Sequence, residues 1–130
     1  MTPKEFKILC RSADAGEQAV AVLERVERQL ASLAALKIKG APPVWQEARR
    51  MELYEQRLRA QEVVATAISH KARLERIIRG APDVQLMQIL EMRCKRHFSW
   101  QQIAWRLGGG NTADAVRKRV TRYLQGVKLQ

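Results

Sequence analysis

From Leu9 onward, apolar or small residues return at steps of three and four: Leu9, Ser12, Gly16, Ala19, Leu23, Val26, Leu30 and Leu33. That spacing draws one narrow, coiled-coil-like stripe on a helix, because residues three and four apart share a face. Thr2 can cap this helix, Pro3 suits its first position, and Glu5 can close a capping box. After Gly40-Ala41-Pro42-Pro43 a second stripe runs through Met51, Tyr54, Leu58, Ala65, Ile68 and Ala72, then drifts to Val64, Ala67, Leu74, Ile77 and Ile78. This break and Gly80-Ala81-Pro82-Asp83 each join a C-cap glycine to proline, which ends one helix and starts another. Two helices of about 35 residues, each about 50 Å long at 1.5 Å per residue, should fold back as an antiparallel hairpin over residues 1–80.

The last third of the chain is cut into shorter pieces. Asp83 is an N-cap for a helix through Val84, Leu86, Leu90, Arg93, Cys94 and His97, and Ser99 caps a short one from Trp100 to Leu107. Gly108-Gly109-Gly110-Asn111 then interrupts the chain, and Thr112 caps a third helix from Ala113 to about Leu124. Three helices with a short middle one and a glycine turn before the last meet the requirement of a helix-turn-helix. No stretch alternates apolar and polar residues as a strand would. The expected fold is all-α: a long antiparallel helical hairpin at 1–80, followed by a C-terminal three-helix helix-turn-helix unit at 83–126.

Charge changes the picture by giving the second part a task. The 130 residues hold 24 Lys and Arg against 13 Asp and Glu, a formal +11, while 46% are apolar, so the excess sits on a folded surface. Residues 1–83 carry 15 basic and 11 acidic side chains, and residues 84–130 carry 9 and 2. The net +7 of the short C-terminal part points to a polyanion, with nucleic acid first among the choices.

On the third short helix Ala113, Val116, Val120, Tyr123 and Leu124 fall within about 100° of one another at 100° per residue, and are expected inside. Asp114, Ala115, Lys118, Thr121 and Arg122 point outward, and Arg117 and Arg119 flank the apolar side. Short or bidentate groups at the centre with cations at the margin are what a helix in a major groove needs. Thr112 opens the helix with free amide groups suited to a phosphate. Gln101 and Gln102 stand in the first turn of the middle helix as further donors to phosphate, and Trp100, Ile103, Ala104 and Leu107 share its inner side. Trp105 faces away from that core, either under the hairpin or toward another protein. A hairpin with so many small residues buries too little to stand alone. Leu23, Val26, Leu30 and Leu33, with Met51, Tyr54 and Leu58, are therefore expected to meet a partner, most simply a second copy in a four-helix assembly, the alternative being the core of a monomeric bundle with the C-terminal helices.

Other chemistry is sparse. Cys10 and Cys94 lie far apart and read as buried thiols; Cys94 and His97 share a helical spacing that suits a metal, but a structural zinc site takes four ligands. There is no phosphate-cradling glycine loop, no carboxylate pair in an apolar setting and no nucleophile with a base and third member, so neither an enzyme nor a cofactor or small-molecule substrate is expected. No run approaches the roughly 20 apolar residues of a membrane span, and the N-terminus lacks the apolar core of a secretory signal. A cytoplasmic protein without a membrane partner is expected.

Leu90-Glu91-Met92-Arg93, Phe98 to Gly108, and Ala115 to Leu124 together resemble the helix-turn-helix of sigma factor region 4. In size and layout the chain is similar to small phage regulators of the ArpU and RinA type, which place a long helical part before such a unit. The specific likeness covers residues 83–125, with helical layout alone before it. The turn from Gly108 to Asp114 is about two residues longer than the usual sigma turn, and its Gly-Gly-Asn-Thr also looks like the turn of GcrA-type regulators. The resemblance implies double-stranded DNA as partner, activation of phage late genes, a bacterial cytoplasm and contact with host RNA polymerase. Two other classes fit the same outline. One is a DNA-packaging protein resembling a terminase small subunit, and the other a regulator whose basic helix meets polymerase or a sigma factor.

Overall fold

A computed structural model describes residues 1–36, 40 and 42–127. It is all-helical: α1 (Pro3–Ala34), α2 (Val44–Arg79), α3 (Val84–Cys94), α4 (Trp100–Leu107) and α5 (Ala113–Gln125), with no strand among the described residues. The long pair and the three short helices match the expected class and order. The first break is seen at Gly40, Pro42 and Pro43, while Ala41 lies outside the described residues. The helix starts follow their caps. Thr2 Oγ1 accepts from the Glu5 amide at 3.1 Å and donates to the Glu5 carboxylate. Asp83, Ser99 and Thr112 accept from the amides of Leu86, Gln102 and Ala115 respectively, each satisfying a donor that a helix start leaves unpaired.

The chain divides into two compact units, Met1–Arg11 with His70–Gln130, and Ser12–Ser69. Their limits do not coincide with the loop at 80–83. The first turns of α1 and the last turns of α2 group with the short helices, so that unit is discontinuous in sequence.

Within Ser12–Ser69, α1 and α2 run antiparallel. Gly16 stands against Ala67, Glu27 reaches Arg57 at 3.5 Å, and Gln46 Nε2 donates to the Leu33 carbonyl at 3.2 Å. The helices approach closely because the facing positions are small. A Cβ added at Gly16 would stand 2.3 Å from the Ala67 Cβ, and Ala19, Ala60 and Ala67 are all buried. Val26 and Leu53 close the seam with no exposed surface.

The α1 stripe is therefore the expected one, with Leu23, Leu30 and Leu33 half-buried at its edge. The α2 stripe is the expected one only in its later part, where Ala67, Leu74, Ile77 and Ile78 are buried. Met51, Leu58 and Ile68 are 66%, 58% and 66% exposed, and Tyr54 is exposed beside them. The α1 partner face of α2 is Leu53, Ala60 and Ala67. Dispersion attraction grows with proximity, so a glycine-alanine seam packs backbones closely and leaves bulky side chains outside. Leu53 and Ala60 lie outside the stripe read from the sequence, whereas Met51, Tyr54 and Leu58, expected to meet a partner, are the residues α1 leaves open.

In the other unit the core gathers Phe6, Leu9 and Cys10 of α1 and Leu74, Ile77 and Ile78 of α2 with the inner faces of the short helices. Tyr123 Oη donates to the Ile77 carbonyl, one of the acceptors that the end of α2 leaves open. Tyr123→Phe is expected to lower stability by about 1 kcal/mol, read as a lower urea midpoint with unchanged slope.

Candidate nucleic-acid interface

α3, α4 and α5 form the helix-turn-helix core. Leu86, Ile89, Leu90 and Cys94 of α3 meet Ile103 and Ala104 of α4 and Val116, Val120 and Leu124 of α5, all buried. Ala113, Tyr123, Trp100 and Leu107 are half-buried at the margins. The inward set read from the sequence is thus the set that packs. Ser99 and Gln102 complete a capping box at α4, so the Gln102 carbonyl is spent on the Ser99 amide while its NH2 group remains a donor. Gln101 is exposed beside it. The turn into α5 has positive φ at Gly108, Gly109 and Gly110 (65°, 63° and 79°), a backbone that side chains resist. α3 ends at Cys94, so His97, expected within that helix, lies instead at the α3–α4 corner with a positive φ of 56°. There Arg93 donates to the Phe98 carbonyl at 3.0 Å and stacks over Trp100 at 4.3 Å.

The outer face of α5 carries Asp114, Ala115, Lys118 and Arg122 in the open, with Arg117 exposed at its edge and Thr112 exposed at its start. Thr121 is half-buried and its hydroxyl donates to the Arg117 carbonyl at 2.9 Å. Charge on this face is arranged as a cluster. Asp114 accepts from Arg117 at 2.8 Å and pairs with Lys118 at 2.9 Å, and hydrogen bonds from Lys118 and then Arg117 hold its carboxyl below the usual range. One carboxylate thus orients two exposed cations from the first turn of the helix, where a negative group also suits the dipole.

Arg119 behaves differently from the phosphate-bound flank expected of it. Its guanidinium turns back to Asp83, 2.7 Å from both carboxylate oxygens, and to Gln85 at 2.5 Å. One guanidinium nitrogen donates to Asp83 and the other to Gln85, which ties α5 to the N-cap of α3 and commits both nitrogens to protein. The Asp83 carboxyl lies below its ordinary value, first because the Leu86 amide donates to it and next because Arg119 does. A depressed carboxyl stabilises the fold above pH 3.8 and releases that contribution only as pH falls further through its folded pKa. Arg119→Ala is expected to return the Asp83 titration part of the way toward 3.8, since the larger cause stays in place. NMR of the Asp83 carboxyl during acid titration reads this directly.

Two cations that charge counting along the C-terminal part overlooked come from the other end of the chain. Lys4 and Lys7 of α1 line a cleft of about 270 Å³ with Arg93, Arg117 and Thr121, over a floor of Phe6, Trp100 and Leu124. Both lysines are exposed and sit at spacing three, on one face of the first turns of α1. Nothing local in Pro3-Lys4-Glu5-Phe6-Lys7 distinguishes them from an ordinary amphipathic start; only the tertiary fold brings them to Arg117. Trp105 is 83% exposed on α4. Of the residues expected to meet a partner copy, Val26 is consumed by the hairpin, whereas Met51, Tyr54 and Leu58 remain open.

Among the described residues no helix is long and apolar enough to cross a membrane, and no group of three His, Cys, Asp or Glu side chains is placed to hold a metal ion. Cys10 and Cys94 are both buried. Compared with known proteins, the chain matches no family model, no curated protein and no solved structure.

Proposed function

We propose that this chain is a sequence-specific DNA-binding transcriptional regulator of the sigma-region-4-like phage type, acting as a dimer on late genes. The observation that carries the reading is the α4–glycine turn–α5 arrangement, whose last helix turns Val116, Val120 and Leu124 inward and Lys118 and Arg122 outward. α5 enters the major groove. Ala115 and Asp114 face base edges, an alanine suiting a thymine methyl and a carboxylate a cytosine amino group. Arg117, Lys118 and Arg122 hold phosphates, Lys4 and Lys7 extend the same basic surface, and Thr112 offers the amides of the α5 start. Gln101 and the NH2 group of Gln102 reach the backbone from α4. Arg119 acts indirectly, by fixing the angle of α5 against α3. Double-stranded DNA is thus the main partner and the bacterial cytoplasm the site of action. The large exposed ring of Trp105 favours an additional protein contact, for which host RNA polymerase is the candidate.

Five cations named here, Lys4, Lys7, Arg117, Lys118 and Arg122, are exposed on this surface, and for Arg117 and Lys118 a phosphate would compete with Asp114. With five counterions released per subunit, log K is expected to fall with log salt at a slope of about −4.5 per subunit. Fluorescence anisotropy against a duplex selected from a randomised pool measures it, and a flat response contradicts the reading. Lys4→Ala with Lys7→Ala should reduce the slope by roughly two and leave sequence preference unchanged.

A further inference from the structure

The α2 face that α1 leaves uncovered follows a seven-residue repeat. Met51, Leu58 and Ala65 occupy one apolar position of the repeat, and Tyr54, Gln61 and Ile68 follow three residues after each. These are the a and d positions of a two-stranded coiled coil. All six are exposed, and they run for about 26 Å along the helix. We propose that this face pairs with the same face of a second copy of the chain, parallel and in register.

Charge decides the direction. The positions flanking such a seam are Arg50 and Arg57 on one side and Glu55 and Glu62 on the other. In a parallel pair a residue on the first side meets the residue five places later on its neighbour. Arg50 then faces Glu55 of the partner subunit and Arg57 faces Glu62 of the partner subunit, four opposite-charge pairs across the twofold axis. An antiparallel pair overlapping the same stretch sets Glu55 against Glu62 and Arg50 against Lys71, like against like, and leaves Arg57 opposite Val64 with no opposite charge. Arg57 is already held at the edge of the seam: its guanidinium lies 4.9 Å from the Tyr54 ring centre and 3.5 Å from Glu27. Gln61 adds register. In the parallel pair it faces its own copy, amide to amide, and a shift by one heptad would bury it against Ile68 without a partner.

The pairing rests on the dimeric part of the function proposed above and is independent of DNA. Light scattering on the full chain without nucleic acid is expected to give twice the chain mass. Leu58→Lys, at an exposed position, is expected to give the chain mass with helix content kept. Direction is read by oxidative cross-linking, with the wild type run beside it to control for Cys10 and Cys94. Ile68→Cys should couple to its own copy. In an antiparallel pair the two copies of position 68 would stand roughly 26 Å apart, and only a mixture of Met51→Cys and Ile68→Cys chains would couple. The cross-link needs no disruptive substitution, so it decides the matter even where Leu58→Lys misfolds. A monomeric wild type, a dimer indifferent to a folded Leu58→Lys, or coupling only in the mixture overturns the proposal. A monomer that still binds duplex DNA removes the seam alone, and a dimer that ignores DNA removes the DNA reading alone.

Discussion

Lys118→Glu combined with Arg122→Glu is expected to weaken DNA binding roughly a thousand-fold, taking about 1.5–3 kcal/mol for each charged hydrogen bond to phosphate that is removed. The helix content should not change, because both side chains are exposed and neither touches the core. The fold-side consequences are the loss of the Lys118–Asp114 pair and a new like-charge neighbour, Glu at 118 one turn from Asp114, each costing a few tenths of a kcal/mol. A titration by gel shift or anisotropy at fixed salt separates this outcome from that of Arg119→Ala. Arg119 bridges to Asp83, so its removal should loosen α5 on α3 and lower stability and affinity together. If the double reversal leaves affinity intact, α5 is not the recognition helix.

The second large effect concerns the hairpin. Gly16→Leu should destabilise the chain by about 3 kcal/mol, the upper part of the overpacking range. The first added carbon alone stands 2.3 Å from the Ala67 Cβ, a separation that only movement of the two backbones relieves. Gly16→Ala is the smaller step. Its gain in helix propensity, up to about 1 kcal/mol, works against the clash and reduces the net loss. The exchange Gly16→Ala with Ala67→Gly, which moves the methyl from one helix to the other, should recover part of the stability. Urea denaturation of the three variants reads the series. A Gly16→Leu chain as stable as the wild type would mean that α1 and α2 do not meet at this point.

These two sites differ in how much of them the sequence disclosed. Val116, Val120 and Leu124 could be placed inside and Lys118 and Arg122 outside because a short amphipathic helix between a threonine cap and a glycine has only one consistent phase. The caps themselves were legible for the same local reason. α2 had two apolar phases, one bulky and one small, and periodicity ranked them by hydrophobicity alone. Packing ranked them by how closely a glycine on α1 let the backbones come, a property of the pair that neither helix states by itself. Arg119 was misplaced on similar grounds. From α5 alone its long side chain points to a phosphate, but Asp83, thirty-six residues earlier, offers a carboxylate already fixed by its own cap. Lys4 and Lys7 were invisible because their relation to Arg117 exists only after the chain ends converge.

That convergence has a kinetic side. The unit bearing α5 needs Phe6 and Leu9 from one end of the chain and Leu74 and Ile77 from beyond the hairpin. Closing an unstructured stretch of roughly 60 residues to join them would cost about 3.6 kcal/mol in chain entropy, with a length-independent constant added. An α1–α2 hairpin formed first removes most of that cost, since its helices deliver both segments already adjacent. Folding should therefore proceed from the hairpin to the basic unit, with Gly16 substitutions slowing folding and Leu124 substitutions chiefly speeding unfolding. A fragment that starts at Asp83 would carry every α5 cation named above and lack a large part of the core that holds them in place.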